Sequence, residues 1–303
     1  MRRLDWAREA PRWPDAEAAR IVSAGGVEWR VVRSPAAPDG APAVLLLHGA
    51  GASAHSWHGV FARLSADHDV IAPDLPGHGF SSLGPGGVQS LPAMATAVAA
   101  LLEALEARPA VIAGHSAGAA VALRLALDAA APPYAVYAIN GALAPFRGIA
   151  GALFPPMARL LAANPVTPRA FALAATGDKG TGRRLIRGTG SELPPEGYAR
   201  YQKLFETASH VNGALRMMAQ WDLGPLLADL PRLRCRLVLS VGARDRAVPP
   251  AEAERLARSL PFAEIERHPD LGHVMHEERP ERFAARIAAL AAEAAARARP
   301  ARL

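Results

Sequence analysis

The sequence "AVIAGHSAGAAVALRLAL", residues 110–127, joins an apolar run to an alanine- and leucine-rich run through the pentapeptide GHSAG. The first run is typical of a buried strand and the second of a helix. Gly-x-Ser-x-Gly between a strand and a helix is the nucleophile-elbow pattern, in which a strained turn presents a serine hydroxyl above the sheet edge. Gly114 and Gly118 leave the space that this turn needs. The pattern predicts that Ser116 is a nucleophile, and that the Ala117 N–H helps to stabilise the negative charge that develops.

A serine hydroxyl is a weak nucleophile unless a base accepts its proton. In the chain order Ser, Asp, His, the acid and the base follow later strands. The segment "LVLSVGARDRAVPP" (237–250) offers Asp245, and "HPDLGHVMHEERPERF" (268–283) offers His273. We therefore predict that Asp245 orients His273 and that His273 is the base. The alternative for both residues is an ordinary position in a surface loop.

Two other assignments in these regions are weaker. Asp222, in "QWDLGPLL", could be a displaced acid, although a role at the start of a helix suits it better. His276 and Glu277 could form part of a metal site, but no third ligand is evident, so no metal is predicted.

The segment "LLLHGAGASAHSW" (45–57) also places glycines after a buried apolar run. It matches neither the dinucleotide-binding pattern nor the phosphate loop with its Lys-Ser/Thr pair, so no cofactor is predicted. A loop of this kind supplies the second oxyanion donor, which we predict to be the Ala50 N–H, paired with that of Ala117. His55 and Trp57 either lie at the mouth of the pocket or only pack this loop.

Strand and helix patterns alternate along most of the chain, which predicts an α/β fold with a mostly parallel sheet. A hairpin across Gly25-Gly26 is expected to add antiparallel strands at one edge. The predicted strands cover 19–34 (as that hairpin), 42–49, 69–74, 110–114, 134–140, 236–242 and 263–268, and the predicted helices include 90–105 and 279–297.

The alternation stops between residues 141 and 225, which is too long for a simple connection within a sheet. We predict a helical cap over residues 141–225 and a core of residues 1–140 and 226–303. Large apolar side chains of the cap, among them Phe146, Met217 and Trp221, are expected to line a pocket for a large, flat, apolar ligand. The alternative is that many of them only attach the cap to the sheet.

Composition excludes several classes of protein. The chain has 303 residues, a net charge of +6 and a single cysteine, so an internal disulfide is impossible and a reducing compartment is favoured. The arginines are scattered instead of forming a basic stripe with aromatics, so no nucleic-acid partner is predicted. Neither a signal peptide nor an apolar run of ~20 residues is evident, which predicts a cytoplasmic protein without a membrane span.

Together, "LLLHGAG", "APDLPGHGFS", "GHSAG", "GARDRAVPP" and "LGHVMHEERPE" resemble the α/β-hydrolase family along the whole chain. The resemblance implies the same roles for Ser116, Asp245 and His273, with Ala50 and Ala117 in the oxyanion hole. It also implies that 141–225 is the cap of that family and that the loop from Asp74 to Gly79 is structural.

Further segments, such as "DWAREAPRWPDAEAARIV" (5–22) and "INGALAPFRGIAGALFPPMARLLAANP" (139–165), are similar to a subfamily that accompanies magnesium chelatase in the bacteriochlorophyll biosynthesis of phototrophic bacteria. This similarity implies a tetrapyrrole-related substrate and magnesium-chelatase subunits as partners. Two alternatives stay open: a general carboxylesterase or lactonase, and a non-catalytic protein that binds porphyrin or assists the chelatase.

Overall fold

The structure is a computed structural model that describes residues 3–35, 37–38, 40–144, 160–161 and 163–298. Within these residues, one eight-stranded sheet has the order β1-β2-β4-β3-β5-β6-β7-β8. The strands are β1 (Ala19–Ala24), β2 (Val27–Arg33), β3 (Ala43–Leu47), β4 (Asp69–Pro73), β5 (Val111–His115), β6 (Ala135–Ile139), β7 (Arg236–Gly242) and β8 (Ala263–His268). From β4 to β8 all pairings are parallel, whereas β1 and β2 pair antiparallel at one edge. This topology confirms the predicted α/β-hydrolase architecture.

Helices cover both faces of the sheet because each central strand is apolar on both sides. In β3, Leu45 and Leu47 belong to the core on one face, while Val44 and Leu46 belong to the core on the other. The described helices are α1 (Trp6–Glu9), α2 (His58–Leu64), α3 (Leu91–Ala104), α4 (Ala117–Asp128), α5 (Thr167–Gly177), α6 (Thr181–Gly188), α7 (Pro195–Phe205), α8 (Ala208–Ala219), α9 (Gly224–Asp229), α10 (Pro250–Ser259), α11 (Met275–Glu278) and α12 (Pro280–Ala298). Helices α3 and α4 pack on the first face, and α2 and α12 pack on the second.

The boundaries of β3 to β8, α3 and α12 lie within two residues of the predicted ones, and those of β7 and β8 match them. Helices α1, α2, α10 and α11 are not among the predicted elements. Ser90, the first residue of the predicted helix 90–105, directly precedes α3, and its side chain makes no capping hydrogen bond. Helices α5 to α8 lie between β6 and β7, within the segment predicted to be a cap, and α9 begins one residue before the predicted end of that segment.

The carboxyl ends of the parallel strands meet at one edge of the sheet. In α/β folds this edge holds the ligand site, because the loops that follow the strands converge there. Here it collects the residues after β3, β5, β6, β7 and β8. They include Gly49, Ser116, Asn140, Asp245 and His273.

Candidate active site

Ser116 lies on a strained turn between β5 and α4. Its φ of 51° and ψ of −118° are conformations that side-chain-bearing residues rarely adopt. Ser116 N donates to Ile139 O of the neighbouring strand β6 at 3.0 Å, and Ala119 N donates to Ser116 O at 3.1 Å. A β-carbon added to Gly114 would stand 2.5 Å from Gly118 O, and one added to Gly118 would overlap the carbonyl oxygen of Leu47. Ser116 is half-buried, whereas His115 and Ala117 on either side of it are buried.

Asp245 and His273 form a buried pair. His273 Nδ1 lies 2.7 Å from Asp245 Oδ2, and the exposed fractions of the two side chains are 10% and 0%. The other carboxylate oxygen of Asp245 accepts from Ala247 N at 2.7 Å and from Val248 N at 2.8 Å. Because a carboxylate only accepts, the imidazole N–H is at Nδ1, which leaves Nε2 as the basic nitrogen.

His115, the residue before Ser116, contacts the candidate base His273. The rings of His115 and His273 are 4.6 Å apart, and His115 Nε2 donates to the carbonyl oxygen of His273 at 2.9 Å. Among the described residues, no hydrogen bond joins Ser116 Oγ to His273. Such bonds are often long in substrate-free enzymes and tighten when substrate binds.

The loop after β3 lies directly against the serine. A β-carbon added to Gly49 would be 3.0 Å from Ser116 Cβ and 3.0 Å from His115 Nδ1. Neither Ala50 N nor Ala117 N donates a hydrogen bond within the described part of the chain. Two free donors next to a nucleophile are what an oxyanion hole requires.

Asp74 holds the loops that surround this edge. One carboxylate oxygen accepts from Ala54 N at 2.7 Å, and the other accepts from Phe80 N at 2.9 Å. The guanidinium of Arg30, which is also fully buried, lies 3.5 Å from it. Asp74 is therefore a structural residue, in agreement with the role that the resemblance implied for its loop.

Several buried histidines surround the site. Burial, together with the nearby His273 and His48, lowers the pKa of His276 to about 3. Burial likewise lowers the pKa of His115 well below its usual range. Burial is also the main cause that brings the pKa values of His48, His78 and His210 to about 3. These imidazoles are neutral at pH 7, so they add no positive charge beside the candidate base.

Most of the predicted pocket residues are buried. The side chain of Trp57 is fully buried in the core, with its ring centroid 4.3 Å from that of His276. His55 is 2% exposed, and Met217, on α8, is buried in the core cluster on one face of the sheet. This burial favours the packing role over the pocket-lining role for all three. Trp221 is partly buried against the same core, and Phe146 lies outside the described residues.

The weaker alternatives find no support in the geometry. Asp222 is exposed and accepts from Gly224 N at 2.9 Å, which places it at the start of α9. His276 is fully buried, and neither of its ring nitrogens has a partner. The described part of the chain has no group of three or more side chains that could hold a metal ion.

Three residues that the sequence did not single out also contact the site. Asn140 Nδ2 lies 2.8 Å from the carbonyl oxygens of both Gly272 and His273. Ser191 and Glu278 bind the backbone on either side of His273. A polar residue directly after the buried strand β6 was the only available signal for Asn140. Nothing local marks Ser191, because its partner is 83 residues away.

A family model for the alpha/beta hydrolase family matches residues 44–286. The magnesium-chelatase 30 kDa subunit of Rhodobacter capsulatus is 44% identical over 265 residues, which are 88% of this chain and 91% of that protein. An esterase from Thermogutta terrifontis superposes with a TM-score of 0.74 and 25% identity, covering 91% of this chain and 99% of the esterase. An enol-lactonase from Burkholderia xenovorans LB400 has a TM-score of 0.68, 21% identity and coverages of 89% and 99%, a likeness of fold alone. Among the described residues, no helix is both long and apolar enough to cross a bilayer.

Proposed function

Since the chain belongs to the α/β-hydrolase family, we propose that it is a serine hydrolase with Ser116 as nucleophile, His273 as base and Asp245 as acid. One observation carries this proposal. The only predicted nucleophile lies on a strained turn at the sheet edge where the Asp245 and His273 side chains pair at 2.7 Å. A purely structural turn gives no reason for this combination.

The proposed reaction begins when Ser116 Oγ attacks an ester-type carbonyl and its proton passes to His273 Nε2. Asp245 stabilises the imidazolium through the bond to Nδ1. The oxyanion accepts from the N–H groups of Ala50 and Ala117. His273 then gives its proton to the leaving alcohol, which leaves an acyl group on Ser116. Water activated by His273 cleaves this acyl-enzyme and regenerates the serine.

The esterase at 25% identity supports an ester or a closely related bond as the target. Esters, thioesters and lactones all develop a similar oxyanion, so the catalytic residues of the core do not distinguish between these substrates. We propose that the cap determines which of them is bound. The proposed cap, residues 141–225, lies in the chain between β6 and β7, and its helices α5 to α8 lie within the described residues.

We extend the proposal to tetrapyrrole chemistry because of the relative named as a magnesium-chelatase subunit. The similarity covers 91% of that protein, so the proposed cap is included in it along with the core. The substrate would be an apolar ester related to a tetrapyrrole, and magnesium-chelatase subunits would be the partners. The proposed compartment is the cytoplasm.

The test is ester hydrolysis by purified protein, with short-chain and aromatic p-nitrophenyl esters as probes. We expect wild-type turnover to be lost in Ser116→Ala, because no other group supplies the nucleophile. Ser259→Ala is the matched control, since Ser259 is an exposed serine whose hydroxyl bonds only to Leu256 O. Equal turnover by wild type and a folded Ser116→Ala variant would refute the assignment.

A general carboxylesterase or lactonase is the second candidate, favoured by the esterase likeness. The two candidates differ in substrate size. A general esterase hydrolyses the small probe esters best, whereas a tetrapyrrole-related enzyme has a higher kcat/KM for a porphyrin methyl ester than for methyl butyrate. Binding of porphyrin without any hydrolysis would instead support the non-catalytic alternative.

A further inference from the structure

The turn Thr189–Ser191, which follows α6, runs between the two loops that carry Asp245 and His273. Thr189 O accepts a 3.0 Å hydrogen bond from Arg246 N, the residue after Asp245. On the other side, Ser191 Oγ accepts from Val274 N, the residue after His273, at 2.9 Å. The turn lies within the segment predicted to be a cap, yet it contacts both candidate catalytic loops.

Backbone atoms of this turn pack against backbone atoms of both loops. Gly190 has a φ of +89°, and a β-carbon added to it would overlap the carbonyl oxygen of Arg244. A β-carbon added to Gly272 would in turn overlap the carbonyl oxygen of Gly190. Arg244 and Gly272 immediately precede Asp245 and His273. The two loops also bond to each other, from Arg244 N to Leu271 O at 2.9 Å. The turn therefore packs against a pair of loops already in contact, through a residue that has no side chain.

Ser191 and Glu278 complete the contact with three hydrogen bonds. Ser191 Oγ donates to Glu278 Oε1 at 2.7 Å, and the same carboxylate oxygen accepts from Gly272 N at 2.9 Å. The third bond runs from Val274 N to Ser191 Oγ. Glu278 and Ser191 therefore accept from the peptide N–H groups on the two sides of His273. Ser191 is 1% exposed, so its bonds are shielded from water.

Residues of the core bind the carbonyl group of His273. The carbonyl oxygen of His273 accepts from Asn140 Nδ2 at 2.8 Å and from His115 Nε2 at 2.9 Å. Asn140 also binds Gly242 N, at the end of β7, at 2.8 Å. The backbone of His273 is therefore fixed by its carbonyl to the sheet and by its neighbouring N–H groups to Ser191 and Glu278.

We propose that Ser191 and Glu278 are positioning residues, through which the turn after α6 sets the orientation of His273 towards Asp245. The inference rests on the proposed function and deepens it. The segment 141–225 then contributes to the chemical step itself as well as to enclosing the substrate. A small displacement of the imidazole is enough to slow proton transfer, because catalysis depends on near-contact geometry.

The first readout does not require activity. Proton NMR of the protein in the Ser116→Ala background reports the hydrogen-bonded Nδ1 proton of His273 as a low-field resonance. We expect Ser191→Ala and Glu278→Ala to shift or broaden this resonance. Glu278→Gln keeps an oxygen that accepts from Gly272 N and Ser191 Oγ, so it should restore the wild-type signal. An unchanged resonance in a folded Ser191→Ala or Glu278→Ala protein would overturn the inference.

The second readout is kinetic and uses wild-type Ser116. We expect Ser191→Ala to lower kcat roughly 10- to 100-fold, with KM within about twofold, and to move the pH profile of kcat/KM. Tyr198→Phe is the matched control, because the hydroxyl that it removes accepts from Leu193 N and donates to Glu192 Oε2, and neither partner lies in the two catalytic loops. Absence of activity in wild type would defeat the proposed function, while the NMR result would still decide the positioning role.

Discussion

Asp245 Oδ2 and His273 Nδ1 lie 2.7 Å apart, although 28 residues separate them in the chain. The pair forms because β7 and β8 are parallel neighbours, so the loops that follow them meet at the same edge of the sheet. Backbone N–H groups of Ala247 and Val248 occupy the second oxygen of Asp245. The remaining oxygen, Oδ2, accepts from the imidazole, and this hydrogen bond fixes the tautomer of His273.

Asp245→Asn tests this relationship. The amide would offer His273 an N–H or a weaker acceptor, so the imidazole would adopt the wrong tautomer, and we expect kcat for ester hydrolysis to fall on the order of 10⁴-fold. Asp222→Asn is the control, because Asp222 is exposed at the start of α9. If Asp222→Asn were instead the inactive variant, the acid would be assigned to the wrong residue.

Gly118→Ala tests the packing of the serine turn. The added methyl would overlap the backbone of Leu47, which has no free space to move into at the centre of the sheet. We expect the free energy of unfolding to fall by about 1–3 kcal/mol or more. Gly188→Ala meets no atom within 4 Å at the end of α6 and should leave stability unchanged or slightly raised. Urea denaturation of both variants measures the difference.

The buried histidines predict that stability falls in acid. Their folded-state pKa of about 3 lies below the unfolded value of 6.5, so the unfolded chain binds more protons below pH 6.5. The free energy of unfolding should therefore decrease as the pH falls from 6.5 towards 3. His276→Phe removes one of these groups without breaking a hydrogen bond, because neither ring nitrogen has a partner. Its stability should depend less steeply on pH than that of wild type, and an equal slope would contradict the prediction.

Glu277 has the opposite effect on the pH dependence of stability. Burial raises its pKa to about 8, against 4.5 for an ordinary glutamate, while its hydrogen bond from Tyr201 at 2.6 Å partly offsets this shift. The folded state holds a proton that the unfolded state has lost, so this group reduces stability as pH rises from 4.5 to 8. Glu277→Gln keeps a neutral acceptor for Tyr201. We expect it to be more stable than wild type at pH 9, with little difference at pH 4, as measured by chemical denaturation. A variant less stable than wild type at pH 9 would show that ionised Glu277 stabilises the folded protein, which contradicts a raised pKa.

The strands, the mostly parallel sheet and the candidate triad could be predicted because their signals are local. A buried parallel strand appears as a short apolar run, and the serine motif joins one such run to a helix. Asp245 and His273 are predicted in the same way, as polar residues in the loops that follow two later strands. The sheet topology then brings both to the edge where Ser116 lies.

The contacts of Ser191 and Asn140 could not be predicted, because they join positions more than 80 residues apart in the chain through backbone groups that carry no sequence signal. The pocket assignment depended on composition, and large apolar side chains such as Trp57 and Met217 are equally suited to a core. Their burial shows which of the two roles the fold favours. Phe146 lies outside the described residues, so its predicted place in the pocket stays a prediction.

Labelling with a fluorophosphonate probe, followed by peptide mapping of the adduct, tests the assignment of Ser116 as the nucleophile. We expect stoichiometric labelling of the wild-type protein at Ser116, because the probe requires an activated serine and a working oxyanion hole. Ser116→Ala should then take up no label, while Ser259→Ala should label fully. A correctly folded wild-type protein that stays unlabelled, or an adduct that maps to another serine, would contradict the account.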